Sequence, residues 1–171
     1  MAVKKPKVGI IMGSDSDLEV MREAEKRLDS FGIGYETRIM SAHRTPGIAA
    51  KYSATAEKRE LEVIICGAGA AAHLAGAIAA NTTLPVIGVP IDSSSLKGMD
   101  ALLATVQMPA GIPVATMAIG KAGAANAAIF AAQIIGRKDA DVAVKLVQFK
   151  KEMAAGVEER DRKLQSERNQ N

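Results

Sequence analysis

The segment from Ser41 to Pro46 carries the side chain best suited to proton transfer in this sequence. His43 lies at the predicted boundary between a strand, Ile33 to Met40, and a helix. Thr45 followed by Pro46 is a helix-start signal, because a hydroxyl caps the first turn and the proline ring fixes φ where no N–H donor is needed. Open α/β sheets bind ligands at the carboxyl ends of their strands. We therefore take His43 as the leading candidate for a general acid or base.

The second of the two histidines, His73, also follows a strand-like run, Glu62 to Cys66, and a glycine-rich turn. Two imidazoles would then lie on the same edge of the sheet. The alanine-rich surroundings of His73 are equally consistent with a core histidine that is hydrogen bonded to backbone. From the residues alone, a site histidine and a core histidine are supported equally.

The stretch from Gly13 to Asp17 is a glycine turn that leads into a helix through Ser14 and Ser16. A helix N-terminus presents free N–H donors and favours anions. An ordinary capped helix explains the same pattern, so spacing alone does not separate the two interpretations. The stretch is neither Gly-x-Gly-x-x-Gly nor a Walker loop, which argues against a dinucleotide or a triphosphate. The hydroxyls and carboxylates suit a sugar, and the serines can also donate to phosphate.

Arg44 is adjacent to His43 and offers a two-pronged, charge-assisted contact for a phosphate group. On its own, a surface arginine would be the simpler interpretation. The second anion-binding loop predicted at Gly13 to Asp17 favours the phosphate role.

Several other chemistries find no support in the sequence. No Cys/His cluster or carboxylate group has metal-ligand spacing, and Gly-x-Ser-x-Gly is absent. The single cysteine, Cys66, lies in an apolar run and is interpreted as a buried thiol. We expect neither a metal nor an organic cofactor.

Strand-length apolar runs alternate with helical patterns along the chain. Val8 to Met12 is an apolar run expected of a strand that is buried on both faces. Two further strands are predicted beyond those that begin at Ile33 and Glu62, namely Val86 to Val89 and Val114 to Ile119. Helices are predicted between the strands and after the last one, over Leu18 to Leu28, Pro46 to Arg59, Ala71 to Ala80 and Lys121 to Ile135. Five β-then-α units predict an α/β fold with a five-stranded parallel sheet between two layers of helices.

Two further segments are less regular. Asp92 to Gly111 reads as a loop and a short helix that could act as a flap over the active site. Asp139 to about Leu164 reads as a long terminal helix, and we favour an arm that grips a neighbouring subunit over a strap across the same domain. The length predicts a single domain over residues 1–171, with a core of about 7–137 and the helical arm at about 139–164.

Composition narrows the function classes. The net charge is +3 and only 3% of residues are aromatic, so the concentrated basic face and stacking platforms of a nucleic-acid binder are missing. No signal peptide and no bilayer-spanning apolar run is visible, which predicts a cytoplasmic protein that does not bind membranes.

Taken together, the motifs resemble the 5-(carboxyamino)imidazole ribonucleotide mutase family of purine biosynthesis, the catalytic subunit of phosphoribosylaminoimidazole carboxylase. The resemblance covers about residues 7–137. The matching motifs are Met12 to Asp17, Ser41 to Pro46, Gly67 to Gly69 with Ala72 to Leu74, Gly88 to Pro90, Gln107 to Pro109 and Ala118 to Ala128.

The resemblance implies a flavodoxin-like domain, a homo-octamer, and sites near subunit contacts that use no metal or organic cofactor. It implies that His43 is the general acid/base in a transfer of a carboxyl group, through trapped CO2, from nitrogen to ring carbon C4. Candidate residues that bind the ribonucleotide substrate are Ser14, Ser16, Asp17, Ser41, Arg44, Gly69, Ala70 and His73.

This chain departs from the family pattern at two positions, with Ala70 where the family has glycine and Ala75 where it has proline. A methyl group at residue 70 is expected to narrow the pocket or to oppose a positive φ. Two alternative functions remain at this stage. One is direct carboxylation of aminoimidazole ribonucleotide by CO2, which the stretch from Ala71 to Leu74 disfavours. The other is a non-enzymatic module that binds a mononucleotide or a flavin, and the lack of aromatic residues in the candidate loops disfavours flavin.

Overall fold

A computed structural model of the chain describes residues 5–168. Strands and helices alternate, as the sequence predicts. The strands are β1 (Val8–Met12), β2 (Tyr35–Ile39), β3 (Val63–Gly69), β4 (Val86–Ile91) and β5 (Ala115–Thr116). The helices are α1 (Leu18–Phe31), α2 (Pro46–Ala54), α3 (Leu74–Ala79), α4 (Met99–Val106), α5 (Lys121–Ile135) and α6 (Ala140–Arg168).

The five strands form one parallel sheet in the order β2-β1-β3-β4-β5. All five residues of β1 are buried, as expected for a central strand covered on both faces. Helices α1 and α5 pack on one face, and α2 and α3 pack on the other. Thr105 of α4 lies beside Ala75 of α3 near Gly88, which places α4 on the second face as well. The predicted flavodoxin-like architecture is confirmed.

Helix α5 contributes mostly small side chains to the core that it shares with α1 and the sheet. Ala124, Ala127, Ala128 and Ala131 of α5 are fully buried against the sheet and α1. Alanine lets two helices and a sheet approach closely, and it also has the highest intrinsic helix propensity. The first helix ends at Gly32, whose φ of 70° is the left-handed conformation that glycine adopts without steric cost.

Helix α6 divides into two parts along its length. Val142 is buried, Leu146 and Phe149 pack against the core, and the ring of Phe149 meets the ring of Phe31 edge to face at 5.6 Å. Lys145 Nζ donates to the Phe31 carbonyl at 2.8 Å. Beyond residue 150 nearly every position is exposed to solvent. The long C-terminal helix is therefore confirmed, and its second part packs on nothing in the chain between residues 5 and 168.

Some element boundaries differ from the sequence prediction. Helix α2 ends at Ala54 rather than at Arg59, because the chain turns at Glu57–Arg59 and directs Arg59 to a salt bridge with Glu36 and onto the ring of Tyr52. Helix α3 begins at Leu74 rather than at Ala71. None of the helices within residues 5–168 has both the length and the apolar character needed to cross a bilayer.

Candidate active site

A cavity of about 160 Å³ lies at the carboxyl ends of the first four strands of the sheet. Each of the four loops that follow these strands contributes to its walls. Eight of the nine site residues predicted from the sequence line it, namely Ser14, Ser16, Asp17, Ser41, His43, Arg44, Gly69 and His73. The exception is Ala70.

The loop after β1 holds its polar groups in a capping box. The Ser14 Oγ accepts a hydrogen bond from the Ser16 N–H at 3.3 Å, and the Asp17 Oδ2 accepts one from the Ser14 N–H at 3.2 Å. These bonds fix a short 3-10 turn at Asp15–Asp17 that leads into α1. Ser14 and Ser16 therefore face the cavity from a rigid turn rather than from a flexible loop.

Asp17 is the most deeply buried carboxylate in this wall, with 5% of its surface exposed. Burial raises the pKa of its side chain above the ordinary value, because a buried carboxylate loses hydration. Hydrogen bonds from the Ser14 N–H and the Ser16 hydroxyl oppose this effect but leave the pKa raised. The carboxylate keeps unused acceptor capacity next to the cavity, which suits a hydroxyl group of a ligand.

The loop after β2 is organised by Ser41, whose side chain is nearly buried. The Ser41 Oγ accepts hydrogen bonds from the N–H groups of His43 at 3.3 Å and Arg44 at 3.1 Å. This tight turn directs both side chains outward from the end of the strand. Ser41 therefore shapes the site through the backbone of the two residues that follow it.

The expectation that the Thr45 hydroxyl caps α2 is wrong. The helix begins at Pro46, as predicted, but no side-chain hydrogen bond caps it. The Thr45 Oγ1 instead donates to the Ser41 carbonyl at 3.1 Å and accepts from the Ser41 N–H at 2.9 Å. Thr45 thus closes the turn that carries His43, which is a positioning contact for the site and not a helix cap.

Arg44 connects the second loop to the first. Its Nη2 donates to the Gly13 carbonyl at 2.8 Å, while the side chain as a whole is exposed. One hydrogen bond orients the guanidinium and leaves most of its five N–H donors facing outward. The group can therefore bind an anion beside Ser14 and Ser16.

The two histidines meet inside the cavity. His43 Nε2 and His73 Nδ1 are 2.8 Å apart, and the rings pack edge to face with their centroids 5.0 Å apart. At this distance the two nitrogens form a hydrogen bond, so one donates and the other accepts. Of the two interpretations that the sequence left open for His73, the core histidine is excluded because its side chain is exposed and lines the cavity.

Ala70 adopts a left-handed conformation, with φ of 50°, in the loop between β3 and α3. The alanine methyl makes this conformation unfavourable by about 1–2 kcal/mol. Ala70 is exposed and does not line the cavity, so its methyl does not narrow the pocket. Its effect on the site is through the path of the loop from Gly69 to His73.

Sequence reasoning missed one polar residue of the cavity, Ser93, from the loop after β4. The only signal was the serine cluster within the segment predicted to form a flap. Gly69 makes room for it, because a Cβ at Gly69 would collide with the Ser93 Oγ and lie 2.7 Å from the Ser93 Cβ. The β3 and β4 loops therefore meet at this point.

The described residues offer no alternative centre for metal or thiol chemistry. Residues 5–168 contain no group of three or more His, Cys, Asp or Glu side chains arranged to bind a metal ion. Cys66 is fully buried in β3, and burial raises the pKa of its thiol far above the ordinary value. Such a thiol is not a nucleophile.

Comparison with known proteins agrees with the resemblance seen in the sequence. The sequence model of a family described as AIR carboxylase matches residues 7–156. The N5-carboxyaminoimidazole ribonucleotide mutase of Vibrio parahaemolyticus is 56% identical over 151 residues, which cover 88% of this chain and 94% of that protein. The mutase of the same name from Pyrococcus horikoshii is 56% identical over 165 residues, which cover 96% and 92%.

A solved structure gives the same result for the fold. The crystal structure of PurE from Treponema denticola superposes on this chain with a TM-score of 0.82 at 31% sequence identity. The aligned region covers 93% of this chain and 98% of the Treponema denticola chain.

Proposed function

The chain belongs to the AIR carboxylase family, and on this basis we propose that it is a mutase acting on 5-(carboxyamino)imidazole ribonucleotide. The enzyme moves the carboxyl group from the exocyclic nitrogen to ring carbon C4, a step of purine biosynthesis. The observation that carries the proposal is the His43–His73 pair, which lies in a cavity with a guanidinium, two serine hydroxyls and a buried carboxylate.

The phosphate and ribose of the substrate find suitable partners in the first two loops. Arg44 donates to the phosphate from its exposed guanidinium. The hydroxyls of Ser14 and Ser16 donate to Asp15 and Asp17 in the free chain, and they turn toward the phosphate when it binds. Asp17 accepts from a ribose hydroxyl. Ser41 holds the backbone that presents Arg44 and His43. Gly69 and His73 form the opposite wall, and Ala70 acts on it only through the path of the loop between them.

The carboxyl transfer needs one proton to move between two atoms of the substrate. Cleavage of the N–C bond releases CO2 and leaves the electron pair on nitrogen, which takes a proton from His43. Ring carbon C4 then attacks the same CO2 and forms the new C–C bond. His43 removes the proton from C4, so the imidazole ends in its starting state. The reaction balances without an oxidant, a reductant or a cofactor.

His73 orients this acid/base. Its Nδ1 lies 2.8 Å from His43 Nε2, and the hydrogen bond between them holds the His43 ring in place beside the substrate. A positioned acid/base contributes a factor of about 10²–10⁴ to the rate. Retention of CO2 next to C4 adds the advantage of an intramolecular reaction.

We propose that a second copy of the chain completes the site, because the side chains of His43, Arg44 and His73 are exposed in the single chain. The second part of α6 also leaves Met153, Val157 and Leu164 exposed. We propose a homo-octamer in which α6 is an arm that grips a neighbouring subunit, with residues 1–171 as a single domain.

The substrate also fits the expected location in the cell. A phosphorylated nucleotide is retained in the cytoplasm by its charge, and we place the enzyme there. The proposed partners are the ribonucleotide and further copies of the chain, with neither nucleic acid nor membrane among them.

The mutase proposal is tested by following the carboxyl group. Substrate with a labelled N-carboxyl group, incubated in unlabelled bicarbonate, should yield product that retains the label, at a rate independent of bicarbonate concentration. His43→Asn serves as the inactive control. Complete loss of label, with a rate proportional to dissolved CO2, would instead establish direct carboxylation of aminoimidazole ribonucleotide.

A further inference from the structure

Ser93 is a cavity-lining residue with an uncommitted hydroxyl. It is exposed near the start of the loop after β4, and it makes no hydrogen bond to any residue between 5 and 168. Its side chain occupies the space that a side chain at Gly69 would need. The absence of a side chain at Gly69 therefore allows this hydroxyl to reach the cavity wall.

The neighbouring serine has a different task. The Ser94 Oγ donates to Asp100 Oδ2 at 2.7 Å and accepts from the Leu96 N–H at 3.2 Å. These bonds hold the loop against the start of α4. Ser94 therefore fixes the loop internally, and the fixed loop holds the Ser93 hydroxyl at the cavity.

Strand order places Ser93 far from Arg44. Arg44 follows the edge strand β2, whereas Ser93 follows β4, and the loops after β1 and β3 lie between them. Adjacent strands are about 4.8 Å apart, so β2 and β4 are separated by about 14 Å. The cavity thus has a cationic end at Arg44 and a neutral hydroxyl end at Ser93, with the histidine pair bridging the loops after β2 and β3.

We infer that Ser93 is a further substrate-binding residue, whose hydroxyl donates a hydrogen bond to the carboxylate that the reaction transfers. The inference rests on the proposed function. A phosphate bound at Arg44 directs the imidazole ring, and with it the carboxyl group, toward the end at Ser93. A neutral donor orients a carboxylate without the strong attraction of a cation, which would oppose its release as CO2.

The test compares two nucleotides that differ only in the carboxyl group. Binding of aminoimidazole ribonucleotide and of its C4-carboxylated form is measured by titration calorimetry with wild type, Ser93→Ala and Ser93→Thr. Loss of a hydrogen bond to a charged group should weaken binding of the carboxylated nucleotide about tenfold or more in Ser93→Ala. Binding of the nucleotide that lacks the carboxyl group should not change, and Ser93→Thr should retain most of the affinity for the carboxylated form.

Ser95→Ala is the matched control, because Ser95 is exposed in the same loop and does not line the cavity. It should bind both nucleotides like wild type. Equal weakening of both nucleotides in Ser93→Ala, or no change in either, would overturn the role of Ser93 while leaving the mutase proposal intact. A wild-type protein that binds neither nucleotide would overturn the proposed function itself.

Discussion

His43 Nε2 lies 2.8 Å from His73 Nδ1, although 30 residues separate the two histidines in the sequence. The contact exists because the loops after β2 and β3 both extend from the carboxyl edge of the sheet and reach across the intervening β1. The proposed acid/base, His43, therefore has a direct hydrogen-bond partner in His73.

Replacement of His43 should abolish turnover without unfolding the protein. In His43→Asn the amide cannot exchange a proton with C4 or with the leaving nitrogen, so we expect kcat to fall by a factor of about 10²–10⁴. The side chain is exposed, so the free energy of unfolding and the affinity for the nucleotide should change little. Steady-state kinetics, urea unfolding and calorimetric binding check these outcomes. A variant with near wild-type kcat would exclude His43 as the acid/base.

Replacement of Arg44 should weaken binding rather than slow the chemistry. In the proposed function, Arg44 holds the phosphate equally in the ground and transition states, so this contact acts as uniform binding. Arg44→Ala should raise KM about 10- to 100-fold, the effect of one lost charge-assisted hydrogen bond, and leave kcat close to wild type. Arg22→Ala, an exposed arginine of α1 outside the cavity, is the control. A loss confined to kcat would contradict the phosphate role.

A side chain at residue 69 should destabilise the protein through Ser93. The new Cβ of Gly69→Ala would collide with the Ser93 hydroxyl and approach the Ile91 carbonyl at 3.0 Å. We expect the free energy of unfolding to fall by about 1–3 kcal/mol, as for other overpacked sites. The double variant Gly69→Ala with Ser93→Gly should recover part of this loss, because the serine side chain is the main obstacle. Urea unfolding measures both effects, and strictly additive losses would show that the two residues do not interact.

The sequence predicted which residues belong to the site better than it predicted the contacts between them, because the residues belong to short local motifs. The strands place all loops that follow them on one edge, so eight of the nine predicted residues converge in one cavity. Their mutual contacts were not predictable. Neither the His43–His73 distance nor the approach of Ser93 to Gly69 is encoded in local spacing, since each depends on how separate loops pack.

Strand β5 shows the same limit for the fold. The apolar run from Val114 to Ile119 predicts six strand residues, but only Ala115–Thr116 form the strand. The Met117 N–H still donates a hydrogen bond to the Gly88 carbonyl at 2.9 Å. The next backbone N–H of β4 that would have to donate to β5 belongs to position 90, which is Pro90. Proline has no N–H, so the ladder stops there. The pairing partner decides the length of this strand, and a one-dimensional apolar pattern does not reveal the partner.

The raised pKa of Asp17 predicts a pH-dependent effect on stability. Because the folded-state pKa lies above the unfolded value, ionisation of Asp17 destabilises the folded protein as pH rises from the ordinary carboxyl pKa through the raised one. At pH values below both the unfolded and the folded pKa, Asp17 is protonated in both states and the destabilisation vanishes. At pH values above both pKa values, the destabilisation has its full size. Asp17→Asn removes this effect, so its free energy of unfolding relative to wild type should increase with pH across that window and then remain constant. Urea unfolding at a series of pH values checks the sign.

The second part of α6 should contribute to assembly but not to the stability of the folded subunit. Truncation after Lys151 removes the exposed Met153, Val157 and Leu164, and it retains Val142, Leu146 and Phe149, which pack against the body. Truncation after Arg137 would remove both sets and confound assembly with folding. We expect the shorter deletion to lower the molar mass measured by light scattering and to reduce activity, because the open cavity then lacks its neighbour.

The corresponding control keeps α6 intact and changes only its polar surface. Lys163 lies in the same exposed part of the helix, and the variant Lys163→Ala should have the same oligomeric state as the wild type. The helical signal in the circular dichroism spectrum of the truncated protein should decrease only by the amount due to the removed helix residues. The midpoint of urea unfolding should stay close to that of the full chain when both proteins are measured as monomers. If the truncated chain retains the full molar mass at micromolar concentration, residues 152–171 do not hold the subunits together, and the exposed apolar side chains of α6 have another role.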